Sequence, residues 1–183
     1  MQTSNLSEYD LYLFHQGTNC RAYEMLGAHF IERDGQQGVR FAVWAPHAKS
    51  VSVVGDFNNW DNRVNRMIRL DDGETWEIFI TGLKVGDNYK YAIQPQHGGP
   101  HILKADPYGF WAEKRPNTAS RLYNLDGYDW QDGDWQELKR RHSSYSRPML
   151  IYEVHAGSWQ RNGRDYLSYR ELADKLIAYE RMN

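Results

Sequence analysis

The sequence predicts a mainly β protein: an immunoglobulin-like antiparallel β-sandwich, followed by one β-α unit that opens an α/β domain. Three observations carry this reading. Five short β-rich runs lie between Gly38 and Leu103, separated by turn residues. After Pro148 comes a strand of another kind, Met149 to Val154, whose near-continuous apolar start suits burial on both faces. Tyr169, Leu172, Ala173, Leu176 and Ile177 then recur at helical spacing and make a single apolar stripe.

The elements follow in order. Residues 1–7 are polar and predicted disordered. Glu8 to Phe14 reads as a short helix ended by Gly17, and Arg21 to Leu26 as a second one stopped by Gly27. In the first strand Val39, Phe41 and Val43 alternate with Arg40, Ala42 and Trp44, and Pro46 stops the run. Val51, Val53 and Val54 make the next, ended by Gly55-Asp56. Thr75 to Ile80 and Tyr89 to Ile93 follow, closed by Gly82 and by Pro95 with Gly98-Gly99, and Ile102-Leu103 is a last short strand. Residues 106–148 hold several Pro and Gly among many Trp and Tyr, and read as an ordered connector with little regular structure. Ser168 and Glu171 form a capping box that starts the final helix near Tyr169. A lone β-α unit cannot bury its apolar faces, so this end is expected to be the beginning of an α/β domain that has been cut off.

Composition narrows the function. The 183 residues carry a formal net charge of −2 with a pI near 6.4, a poor electrostatic footprint for a nucleic-acid partner. The one basic cluster, Lys139-Arg140-Arg141-His142, is short and reads as a solvated linker face. A single cysteine, Cys20, allows no internal disulfide, which fits a reducing compartment. No signal peptide and no membrane-spanning apolar run is visible, so a cytoplasmic protein is expected, with no membrane partner. His97 and His101 flank a Gly-Gly-Pro turn with no acid at ligand spacing, so no metal site and no cofactor are expected. Seven Trp and 13 Tyr stand out, and aromatic rings serve either as core or as flat platforms for ligands.

Four stretches carry a family resemblance. Tyr9 to Phe30 (YDLYLFHQGTNCRAYEMLGAHF) looks like the lead-in that bacterial glycogen branching enzymes place before their carbohydrate-binding module. Phe41 to Trp60 (FAVWAPHAKSVSVVGDFNNW) resembles the start of that module. Lys104 to Phe110 (KADPYGF) agrees, and Leu150 to Trp159 (LIYEVHAGSW) resembles the first barrel strand of these α-amylase-superfamily enzymes. The resemblance covers residues 9–183. It implies a lead-in at 1–29, a carbohydrate-binding sandwich at 30–115, a connector at 116–148 and the truncated start of a catalytic (β/α)8 barrel at 149–183. It also implies the family's activity: transfer of an α-1,4-glucan segment to a 6-hydroxyl by a retaining double displacement on paired carboxylates. A barrel takes about 250 residues, whereas 35 follow Pro148. No catalytic residue is therefore expected here, and Glu153 on the first strand is not one. The implied partners are α-glucan, as glycogen or malto-oligosaccharide, and the remainder of the barrel.

A sugar site needs an exposed aromatic plane, because pyranose rings present flat CH faces, plus polar groups at the rim. The loop Gly55 to Trp60 follows a strand and has the composition of an exposed turn. By resemblance, Trp60 is the stacking platform and Lys90 a hydrogen-bond donor to sugar, with Asn58 and Asn59 as candidate edge contacts. The strongest binders carry a second tryptophan near the position of Leu103. One fewer platform, at roughly 1–3 kcal/mol, implies affinity about tenfold weaker, in the millimolar range. Trp44 is expected to pack against the connector, Trp76 in the sheet, and Trp111, Trp130 and Trp135 to anchor the connector on the sandwich. His155 reads as a strand-end histidine facing solvent. Two other readings compete: a stand-alone glycogen- or starch-binding module, which leaves the final strand and helix unexplained, and a structural sandwich, which predicts no glucan affinity.

Overall fold

The computed structural model describes residues 6–146 and 148–182. They form two compact units, one up to Tyr128 and one from Asp129 on. No helix among the described residues is long and apolar enough to cross a membrane.

The first unit opens with helix α1 (Glu8–His15), capped by Ser7, whose Oγ accepts from the Asp10 amide at 3.0 Å. A one-turn helix, α2 (Ala22–Met25), follows and ends at Gly27, which sits at φ 97°. The strands are β1 (Gly27–Arg33), β2 (Gln36–Trp44), β3 (Ala48–Gly55), β4 (Ile68–Arg69), β5 (Thr75–Thr81), β6 (Asn88–Pro95), β7 (Ile102–Lys104), β8 (Trp111–Ala112) and β9 (Ser120–Arg121). They make two antiparallel sheets, one in the order β1-β2-β5-β4 and the other β3-β6-β9-β8, with β7 also on β6. Period-two alternation turns Val39, Phe41 and Val43 of the first sheet and Val51, Val53, Tyr89 and Tyr91 of the second into one shared core. Trp76 is buried in that core, as its strand position predicts.

The opposite face of β2 is covered too, because the lead-in lies on it. Ala42 packs with Leu6, Met25 and Leu26, and the buried Arg40 guanidinium donates to the Met25 and Glu24 carbonyls at 2.6 and 3.0 Å. Arg33 and Glu77 form a second buried charged contact at 2.7 Å. A deeply buried cluster ties the sheet to the Lys104–Phe110 stretch. Asp106 Oδ2 accepts from the Tyr89 and Tyr91 hydroxyls at 2.7 and 3.0 Å, and Oδ1 from the Tyr108 amide at 2.8 Å.

Three expectations are corrected. Residues 106–148 are more regular than their composition suggests, since β8, β9 and helix α3 (Gly133–Arg141) lie there. Trp44 packs against the lead-in and not the connector: its ring meets Phe14 edge-on at 6.0 Å and its indole N–H donates to Glu74 at 3.0 Å. Met149–Val154 pairs with no strand among the described residues, because a parallel-type strand takes its hydrogen bonds from neighbours that no other described stretch provides.

The second unit holds α3, a hairpin of β10 (Arg161–Asn162) and β11 (Asp165–Tyr166), and helix α4 (Tyr169–Met182). The basic run Lys139–Arg141 ends α3, where cations suit the helix dipole, and Arg140 and Arg141 pair with Glu137. The capping box starts α4 where the sequence places it: Ser168 Oγ accepts from the Glu171 amide at 3.3 Å and Glu171 accepts from the Ser168 amide at 2.8 Å.

Candidate functional site

The loop after β3 is built by its own polar side chains. Asn58 Oδ1 accepts from the Gly55 amide at 2.9 Å, and its Nδ2 donates to Val53 O at 2.9 Å and to Asn65 Oδ1 at 2.7 Å. Both amide protons are thereby engaged in bracing the loop. Asn59 and Trp60 then adopt left-handed backbone, at φ 54° and 60°. Two consecutive non-glycine residues there cost energy, of a kind that clusters at ligand sites. The turn lifts Trp60 out so that 38% of it is exposed, while its indole N–H donates to Asp56 Oδ1 at 3.0 Å. Asn59 is exposed beside it. Farther along the loop, hydrogen bonds from Arg63 hold the Asp61 carboxyl at about 2.

Lys90 lies on β6 opposite Val54, on the outer face of the second sheet. Its neighbours in sequence, Tyr89 and Tyr91, are buried in the core, so parity turns Lys90 outward. Lys90 Nζ donates to Thr118 Oγ1 at 2.7 Å. Thr118 is a site neighbour that sequence reasoning missed. The signal lay in the register that brings β9, two residues later, onto β6. Leu103 stands opposite Ala92, on the same outer face as Lys90, and half of it is exposed. Asp56 links the loop to the sheet, because its Oδ2 accepts from Asn88 Nδ2 at 3.0 Å. The arrangement is a rigid indole at one end of a sheet face with a tethered ammonium nearby, which offers a stacking plane and a hydrogen-bond donor but no acid-base pair.

Other candidates stay apart. His97 and His101 are exposed, and no group of three metal-ligating side chains gathers among the described residues. His29 is held by the Leu26 carbonyl at 2.9 Å, and burial pushes its pKa down, so it remains a neutral structural imidazole. Cys20 is exposed. His155 is exposed and bonds the Ser158 hydroxyl at 2.7 Å.

The carbohydrate-binding module 48 (isoamylase N-terminal domain) family matches residues 25–109. The 1,4-alpha-glucan branching enzyme GlgB of Halothermothrix orenii is 52% identical over 94% of this chain, and that of Bacillus subtilis (strain 168) is 44% identical over 98%. The GlgB of Thermosynechococcus vestitus is 44% identical over 97%. The chain is similar to GlgB branching enzymes over nearly its whole length. It spans 26–28% of their length. Among solved structures, pullulanase type I from Bacillus subtilis in complex with maltose matches 57% of this chain at 24% identity and a TM-score of 0.46. The matched residues 25–109 enclose Trp60 and Lys90 but end before Trp111, which lies on the same sheet, and before Thr118, which bonds Lys90.

Proposed function

We propose that the first unit binds α-glucan through the outer face of its second sheet, with Trp60 as the stacking platform. In this reading Lys90 donates to a sugar hydroxyl, and Asn59 meets the rim of the ring. The observation that carries it is the posture of Trp60: a half-exposed indole raised on left-handed backbone and locked by Asp56, beside a tethered lysine. A tryptophan that merely caps a sandwich gains nothing from two strained residues and a fixed indole N–H. Carbohydrate binding as a family property supports the same reading. The two antiparallel sheets around one core make an immunoglobulin-like sandwich. The module takes residues 30–115, between a lead-in at 1–29 and a connector at 116–148.

The whole protein is then a 1,4-α-glucan branching enzyme, with residues 149–183 as the start of its (β/α)8 barrel. Its catalytic carboxylates fall beyond this chain, so the chain alone supplies binding and scaffold and no group transfer. Loss of the amylose–iodine colour on incubation with the pure chain would overturn that part.

The binding part is tested by titrating the chain with malto-oligosaccharide and following tryptophan fluorescence, with Trp60→Ala as control. A saturable change at millimolar sugar, lost in the variant, is expected. No change in the wild-type chain at tens of millimolar sugar would mean the sandwich is a scaffold.

A further inference from the structure

Trp111 meets the connector it was expected to anchor, through Arg121 and Tyr123. It lies on β8 opposite Arg121 of β9, and Arg121 lies opposite Asn88 of β6. Their alternates, Ala112, Ser120 and Tyr89, are registered together, and Ser120 and Tyr89 are buried. Cross-strand partners share a face, so Trp111, Arg121, Asn88 and Lys90 all sit on the outer face that Trp60 borders. Trp111 is 39% exposed, matching the 38% of Trp60.

Its ring is also held by its neighbours. The Arg121 guanidinium lies 3.9 Å from the indole centroid, and Arg121 is itself held by two hydrogen bonds to the Gly86 carbonyl at 3.2 Å. Tyr123 meets the ring edge-on at 5.9 Å. An indole has two faces. With Arg121 against one, the 39% exposure of Trp111 leaves ring surface open to solvent. Contacts run unbroken between the two tryptophans, from Trp60 through Asp56 and Asn88 to the Arg121 register pair. The sheet order β3-β6-β9-β8 separates β3 from β8 by three strand spacings of about 4.8 Å, about 14 Å in all. Lys90 and Thr118 belong to the ground between them.

We propose that Trp111 is a second stacking platform of the same face, so that an α-1,4-glucan chain several sugars long crosses the strands from Trp60 to Trp111. The proposal rests on the glucan-binding reading above. A short sugar fills one platform, whereas a longer one reaches both, and this makes the module a reader of chain length. It also supplies a second aromatic plane where Leu103 offers none.

The test uses the full chain, with the indole N–H signals followed by NMR during titration with maltose and with maltoheptaose. Maltoheptaose is expected to shift the Trp60 and Trp111 signals with one common affinity. Trp111→Ala should weaken maltoheptaose about tenfold and leave maltose at the Trp60 site unchanged. Trp111→Phe keeps a ring plane and should recover most of the loss, which separates stacking from a fold defect. A Trp111 signal that stays fixed at saturating maltoheptaose while Trp60 shifts would overturn the second platform and leave the Trp60 reading standing. No shift of either signal would overturn both. If Trp111→Ala does not fold, the wild-type shifts and Trp111→Phe still decide.

Discussion

Two carboxylates in the first unit titrate in opposite directions, and each gives a stability prediction of its own sign. Burial pushes the Asp106 carboxyl above its usual 3.8, although the Tyr89 hydroxyl, the Tyr108 amide and the Tyr91 hydroxyl favour its charge. The folded chain then binds more protons than the unfolded chain between 3.8 and the raised value, so this group's contribution falls as pH rises through that window. Asp106→Asn lacks the titration. It should cost about 1–3 kcal/mol at pH 3, where wild type has a neutral acid, and less at pH 7. A gap that widens with pH would refute the assignment. Asp72 is the reverse case. Burial opposes its charge, but the Thr75 hydroxyl at 2.5 Å and the Thr75 and Glu74 amides at 2.9 and 3.0 Å outweigh it and hold the carboxyl below 3.8. Its contribution is present above 3.8 and is lost as pH falls through the depressed value. The deficit of Asp72→Asn should therefore grow from pH 2 to pH 5, as read by urea midpoints at each pH.

At the scale of elements, the turn that presents Trp60 depends on a close approach at Gly55. Its φ of −176° suits any residue, so space alone decides there. A Cβ would lie 2.2 Å from the Asn88 carbonyl oxygen and 2.5 Å from the Phe57 ring. Gly55→Ala should cost about 1–3 kcal/mol in denaturant unfolding and weaken glucan binding with it, since β3 and β6 must part to admit the methyl. Most strands were legible because period-two patterning decides which face is buried: Val39, Phe41 and Val43, or Tyr89 and Tyr91, read the same in sequence and core. β1 was not read as a strand. Its residues, GAHFIER, lack clean alternation because the lead-in half-covers the outer face, yet Asp34-Gly35 before β2 was a hairpin signal, with both residues at positive φ. α3 was hidden in a stretch rich in turn residues, and nine residues with a polar surround give a weak periodic signal. Trp60 and Lys90 were reached through motif resemblance. Thr118 and the placement of Trp111 were not, because they depend on a β6-β9-β8 register that no local pattern encodes.

For the whole molecule, the two units differ in what they bury, and stability should differ with it. The first unit closes a core of buried Val, Phe, Tyr and Trp between two sheets, with the buried Arg33 and Glu77 paired. The second has little of this. Leu150 is 98% exposed and Ile151 84%, and on α4 the stripe that made the helix predictable leaves Tyr169 and Ile177 at 85% and 48%. What holds it is a small aromatic knot, where Tyr152 stacks on Tyr179 at 5.5 Å, and the Trp159 indole donates to the Tyr152 hydroxyl at 2.8 Å. Apolar burial is worth about 25 cal/mol per Å², so a unit that leaves its largest aliphatic side chains in water cannot match the first in opening free energy. Hydrogen exchange on the isolated chain should therefore show strong amide protection in β2, β3, β5 and β6, and exchange from residues 149–182 faster by at least two orders of magnitude. The exposed Met149–Tyr152 run should also make the chain self-associate as concentration rises, visible as an earlier size-exclusion peak that Leu150→Lys moves back. A monomer at all concentrations, with α4 amides as protected as those of β2, would show that the second unit is stabilised by something other than the packing described here.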